Sequence, residues 1–231
     1  MRILCVADHV DPLVYSSSVK ERFGDVDLVL AAGDLPMDYL GFLSGSLNRP
    51  VAFVFGNHNT EELDFFRRGR RRIRIVDAEQ IGRIPTTWGS TYVGDRLETV
   101  CGLRILGFGG SHRYNRGENQ WTQAQMWWKV LRHAPRLLML QLVGKRPVDI
   151  LLTHSPPFGV GDRPDAPHTG FIAFLWFLRV FRPRYIIHGH VHLYDLNAQR
   201  SRTYADTRII NAYDHVVLEL PEPEGARVRP E

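Results

Sequence analysis

The apolar residues of this chain fall into short unbroken runs, and most runs stop at a residue that carries chemistry. Ile3-Leu4-Cys5-Val6-Ala7 stops at Asp8, Asp27 to Ala32 at Gly33-Asp34, and Pro50 to Phe55 at Gly56-Asn57-His58. Leu103 to Phe108 leads into Gly109-Gly110-Ser111-His112-Arg113-Tyr114-Asn115, and Val148 to Thr153 stops at His154. Arg184 to Ile187 runs into His188-Gly189-His190-Val191-His192. Runs this short, without polar alternation, predict strands covered on both faces.

The segments between the runs read as helices. Ser16-Ser17-Ser18 offers an N-cap and Gly24 a stop, and Asp38 to Leu47 predicts a second helix. Thr60, with Glu61 and Glu62 behind it, opens a third. Thr122 caps a helix whose Trp127 and Trp128 are expected in the core; Pro135 interrupts it, and Leu137 to Val143 continues the apolar face. Phe171 to Phe181 predicts a buried helix, far short of the roughly 20 residues needed to span a bilayer. Arg208-Ile209-Ile210 and Val216 to Leu220 predict a closing antiparallel pair. The fold class is α/β.

The chain has 231 residues, 44% hydrophobic and 23% charged, with no repeat or long linker, which fits one large domain better than two small ones. That domain is expected over residues 1–220, with a polar, proline-rich tail over 221–231 expected to be disordered. The formal net charge of +4 is too mild to require nucleic acid, although nearly all basic residues are arginine. Arg67 to Arg74 is the one dense basic run and reads either as a phosphate-tracking patch or as a solvated face. Cys5 and Cys101 are the only cysteines, so a disulfide scaffold is not expected. The strand-like start at Arg2 argues against a signal peptide. Together these features predict a cytoplasmic chain with no membrane partner.

The strand ends carry the candidate chemistry. Asp8, Asp34, Asn57, His154, His190 and His192 supply two carboxylates, an amide oxygen and three imidazoles. In layered α/β folds, ligands bind where loops converge at the carboxyl ends of strands. This donor set suits manganese, iron or zinc, and a carboxylate between imidazoles is what a two-metal hydrolytic site requires. The loop from Ser155 to Gly170 is polar, long and placed after a strand end, as a substrate-facing loop would be.

Asp8, Gly33-Asp34, Gly56-Asn57-His58, His154 and Gly189-His190-Val191-His192 together resemble the calcineurin-like metallophosphoesterase family. The resemblance implies a four-layer α/β/β/α sandwich of two mixed sheets, and a dinuclear metal centre whose hydroxide attacks phosphate esters. It also implies roles. Asp34 would bridge the ions, Asp8 and His192 would complete one, and Asn57, His154 and His190 the other. His58 would act beside the scissile phosphate, and Arg113, Asn115 and His168 are candidate substrate contacts. Two positions depart from the family pattern. Val10 stands where the family has a metal-binding His, which predicts a weak Asp8/His192 site, and Asn59 stands where an acid usually follows the Gly-Asn-His. Phosphodiesters are favoured over monoesters because no cap domain is evident. The alternatives are a catalytically weakened metal- or nucleotide-binding scaffold, and a nuclease using the Arg67 to Arg74 run.

Overall fold

The computed structural model describes residues 1–68, 89–195 and 197–220. In chain order the strands are β1 (Arg2–Ala7), β2 (Leu28–Ala31), β3 (Val51–Phe53), β4 (Ser90–Tyr92), β5 (Leu97–Val100), β6 (Leu103–Phe108), β7 (Ser111–His112), β8 (Gln120–Trp121), β9 (Ile150–Thr153), β10 (Tyr185–His188), β11 (Ser201–Tyr204), β12 (Thr207–Asn211) and β13 (Asp214–Glu219). The helices are α1 (Val19–Phe23), α2 (Met37–Leu47), α3 (Leu63–Arg68), α4 (Gln123–Leu131), α5 (Ala134–Leu142) and α6 (Ile172–Phe181). The arginine run beyond Arg68 and the tail from Pro221 lie outside the described residues.

Two large sheets face each other. One has the order β13-β1-β2-β3-β4, the other β11-β12-β10-β9-β6-β5, and a small pair β7-β8 stands apart. Strands β1 to β4 run parallel with β13 antiparallel at the edge, and β12, β10, β9 and β6 run parallel between antiparallel edges β11 and β5.

The unbroken apolar runs are explained by three packed layers. Alternate side chains of a strand leave on opposite faces. Ile3, Cys5 and Ala7 therefore pack between the sheets with Ile105, Ile150, Leu152 and Ile187. Leu4 and Val6 point the other way, into a core shared with α1, α2 and α3. On the far side Leu106, Phe108, Leu151 and Ile186 pack under α4, α5 and α6. Helix, sheet, sheet, helix is the four-layer sandwich that the resemblance implies.

Three expectations are corrected. The last two predicted strands do not pair with each other. β12 joins the second sheet between β10 and β11, and the chain then crosses so that β13 pairs antiparallel with β1 in the first sheet. Trp128 is exposed rather than buried, and so are Leu138, Met139, Leu142 and Val143. Finally, the apolar stretch through Pro135 is two helices, not one interrupted helix: Pro135 sits in the first turn of α5, where its missing N–H costs nothing. The Thr122 cap is present as a reciprocal box with Gln125. Among the described residues, no helix is long and apolar enough to cross a membrane.

Candidate metal centre

The candidate residues converge because their strands end side by side and leave by sharp turns. Asp8, Asp34 and His190 all adopt the left-handed backbone region, with φ of 66°, 54° and 66°. Non-glycine residues sit there uncommonly and persist only where their surroundings hold them. Here the holding is mutual. The Asp8 N–H donates to the Gly33 carbonyl (3.1 Å), the Gly189 N–H to the His154 carbonyl (3.0 Å), and the His190 N–H to both Asp8 oxygens (2.9 Å each). The His58 N–H donates to Asp34 Oδ1 at 2.7 Å.

The ligand atoms of Asp34, His154 and His190 all lie within 4.8 Å of one another. Asn57 joins them, since its Oδ1 and Asp34 Oδ2 each lie 3.2 Å from His154 Nε2. His154 Nδ1 lies 2.8 Å from the Ala32 carbonyl. A carbonyl only accepts, so Nδ1 carries a proton, and Nε2 is the nitrogen that faces the two oxygens. In the same way His190 Nε2 donates to the Pro167 carbonyl at 2.8 Å, leaving Nδ1 for a ligand. Fixing a histidine through its other ring nitrogen is how ligating imidazoles are oriented.

The electrostatics show that this space favours positive charge. Burial works against charge on His154, yet Asp34 and, at 3.9 Å, Asp8 overcome it and hold the imidazolium above the usual histidine range. Burial would lift Asp34, but His154 outweighs it and keeps this carboxyl below its ordinary range. Burial and the neighbouring His154 hold His190 low, in its neutral, ligating form. A carboxylate, an amide oxygen and two imidazoles, each tethered through its other ring nitrogen, fit a divalent cation, whose charge would take the place of the His154 Nε2 proton, and no thiolate is present to favour a structural zinc.

Asp8 and His192 lie outside this close group. Burial lifts the Asp8 carboxyl to about 7, with His154 pulling it down and Asp34 pushing it up. His192 is half-buried, with Nδ1 2.8 Å from the Tyr194 hydroxyl and its ring against Tyr213 at 4.9 Å between centroids. Among the described residues, neither neighbour of Val10 takes the place of the missing histidine. Val10 packs against the helix-side core, and His9 turns outward to Asp214 (2.8 Å). Asp11 accepts from the Leu13 N–H and from His215 Nδ1 (2.5 Å), so its carboxylate is engaged elsewhere.

The other candidates are placed unevenly. His58 is exposed at the rim. His168 lies beside His190, with ring centroids 5.1 Å apart, and bonds Asp165 at 2.5 Å. Arg113 is directed to the Gln120 carbonyl and Gln125 Oε1, and Asn115 accepts from Gly117 and Gln120, so both brace a turn. Arg67 donates to Asn119 at 2.7 Å and lies over Trp121, so it too is engaged.

Sequence reasoning missed Tyr114, whose hydroxyl accepts from Asn57 Nδ2 (3.4 Å), and Asn119, which donates to the Phe55 and Gly56 carbonyls and steadies the loop carrying Asn57. It also missed the two carbonyls that orient the imidazoles, which leave no mark in side-chain patterns. Beside the His190 to His192 turn lies a cavity of about 230 Å³, lined in part by His188, Arg163, Arg200, Arg202 and Asn211. The position of His188, the last residue of an apolar strand, was the available signal for it.

The family profile described as calcineurin-like phosphoesterase matches residues 1–194. A search of curated protein sequences gives no match. Among solved structures, one crystal structure shares 14% identity, covers 94% of each chain and superposes with a TM-score of 0.64. Another, TT1561 of Thermus thermophilus, shares 12% identity over 92% of this chain and 89% of its own, with a TM-score of 0.59. At these identities the likeness is one of fold.

Proposed function

The chain belongs to the calcineurin-like phosphoesterase family, whose members are metal-dependent phosphoester hydrolases, and on that premise we propose that it hydrolyses phosphodiesters at a two-metal centre. One observation carries the reading: Asp34, His154 and His190 bring ligand atoms within 4.8 Å of one another, with the Asn57 amide oxygen 3.2 Å from His154. Manganese, iron or zinc, when bound, would activate a water as nucleophile and offset charge on the phosphoryl oxygens.

The chain's own groups do the rest. Asp34, Asn57, His154 and His190 would hold one ion, and Asp8 and His192, together with Asp34, would hold the other. The Ala32 and Pro167 carbonyls keep the two imidazoles from swinging as substrate enters. His58 is free at the rim to give a proton to the leaving oxygen. Neither serine near the centre, among the described residues, is placed for a covalent route. The Ser155 hydroxyl is buried and donates to the Gly110 carbonyl, and the Ser111 hydroxyl donates to the His112 carbonyl. An exposed His58 also leaves the rim open, which suits a substrate with two ester arms.

The Asp8 ion would have fewer protein ligands, because Val10 faces the core and Asp11 is bonded to His215. It should fill last in a metal titration. The same shortfall favours a second reading, in which the chain holds metal without turning over. Assays of model diesters and monoesters with manganese separate the two. Hydrolysis should vanish with a chelator, return with metal, and place ¹⁸O from labelled water directly in the phosphate product. His58→Ala should lower turnover by about 10²–10⁴-fold with its metal retained. Full metal uptake with no turnover on any ester would replace the hydrolytic reading with the scaffold one.

A further inference from the structure

Between Glu118 and Asp149 the chain has no carboxylate, and this stretch makes α4 and α5. One face of α5 is docked. Ala134 and Leu137 are buried, Leu140 packs into the core under α4, α5 and α6, and Gln141 donates to the Val180 carbonyl at 3.0 Å. The opposite face should then be polar, as in an ordinary surface helix. It is apolar instead. Leu138, Met139, Leu142 and Val143 recur at the spacing that shares one helix face, and the last three are 70%, 85% and 66% exposed. On the preceding helix α4, Trp128 is 65% exposed, and Arg132 lies over its ring at 5.3 Å.

The charged side chains that this stretch itself supplies are all of one sign. Lys129 is buried against Asp95, and Arg132 also reaches Asp95. Arg136, Lys145 and Arg146 are exposed and have no ion-pair partner among the described residues. Exposed leucine, methionine, valine and tryptophan flanked by arginine and lysine are the composition of a helix that lies in a membrane interface.

We propose that the exposed face of α4 and α5 docks on the surface of an anionic lipid bilayer. Charge complementarity selects this occupant. Lipid headgroups supply the negative charge that the stretch lacks, and acyl chains ask no hydrogen bonds of Met139, Leu142 or Val143. A second copy of the chain would set the same unpaired cations against each other with no carboxylate of the stretch to relieve them. The contact is peripheral, in keeping with the lack of a spanning helix among the described residues, and it stands whether or not the hydrolytic reading does.

Flotation of the full chain with phosphatidylcholine vesicles, with and without phosphatidylglycerol, tests it. The chain should float with the anionic vesicles, stay behind with the neutral ones, and be released by salt. Replacing Arg136, Lys145 and Arg146 together by Gln should weaken binding by about 100-fold, at roughly fivefold per cation. Met139→Ser with Leu142→Asp should abolish binding while circular dichroism and diester turnover stay unchanged, since both side chains are exposed. Binding that ignores lipid charge, no binding at low salt, or binding unaffected by the Met139/Leu142 variant would overturn the proposal. A dimer in light scattering that this variant disperses would also overturn it and make the face an interface between copies.

Discussion

Gly189 shows how little room the candidate centre leaves. A Cβ built there would stand 2.6 Å from both the Ala7 methyl and Asp8 Oδ2, where 3.4 Å is ordinary contact. Gly33, at φ 98°, would set a Cβ 2.6 Å from His154 Nδ1, and one at Gly56 would strike the Asp34 carboxylate and the His154 ring. The glycines before Asp34, Asn57 and His190 are therefore needed for space, and Gly33 for backbone conformation as well. Gly189→Ala should push Asp8 off the His190 N–H by the better part of an ångström. Displacements of that size cost about 10²-fold in rate. We expect a fall of that order in kcat/KM together with a lower Tm, read by steady-state kinetics and thermal melting. Unchanged kinetics would mean that the turn carrying His190 is not coupled to Asp8. At this scale the sequence offered the candidate residues but not the direction in which their neighbours point. Val10 was legible as a departure, while its orientation toward the core, and that of Asp11 toward His215, depended on a turn at Asp8 that no local pattern announces.

The joint between α4 and α5 makes a prediction about elements. His133 caps α5, and its ring meets Phe108 at 5.8 Å between centroids. Burial, then the neighbouring Arg132, holds it down to about 4 from an ordinary 6.5. Below pH 6.5 the unfolded chain takes up a proton that the folded joint refuses, so the unfolded state binds more protons. Stability on this account is complete above pH 6.5 and is lost as pH falls toward 4. Tm measured across that window should drop more steeply for the natural chain than for His133→Gln. Parallel curves would show that the joint does not carry the effect. Most elements here were readable in advance, because a capping box, a stop at glycine and an unbroken apolar run are all local. The strands that escaped notice are short or polar: β4 is Ser-Thr-Tyr, β11 is Ser-Arg-Thr-Tyr, and each lies at the edge of its sheet.

The whole molecule depends on its last strands more than the match to residues 1–194 suggests. β13 borders β1 along six residue pairs, from Arg2 with Glu219 to Ala7 with Asp214, and its Leu218 sits in the core between the sheets. It also flanks the strand that delivers Asp8. A chain ending at Asn211 should lose cooperative thermal unfolding and manganese binding, whereas a truncation that still melts cooperatively would show that β13 only decorates the first sheet. What the sequence by itself determined is the set of buried strands and the donor atoms at their ends, since both follow from which residues are adjacent in the chain. Pairing is different in kind. That β12 and β13 part company into opposite sheets is decided by partners about 25 and 210 positions away, β10 and β1. Which imidazole nitrogen faces the centre is decided by carbonyls at Ala32 and Pro167. The same holds for the apolar stripe of α5. Periodicity states that a face is apolar, but only the packing of α5 beside α6 decides which of its two apolar faces is left uncovered.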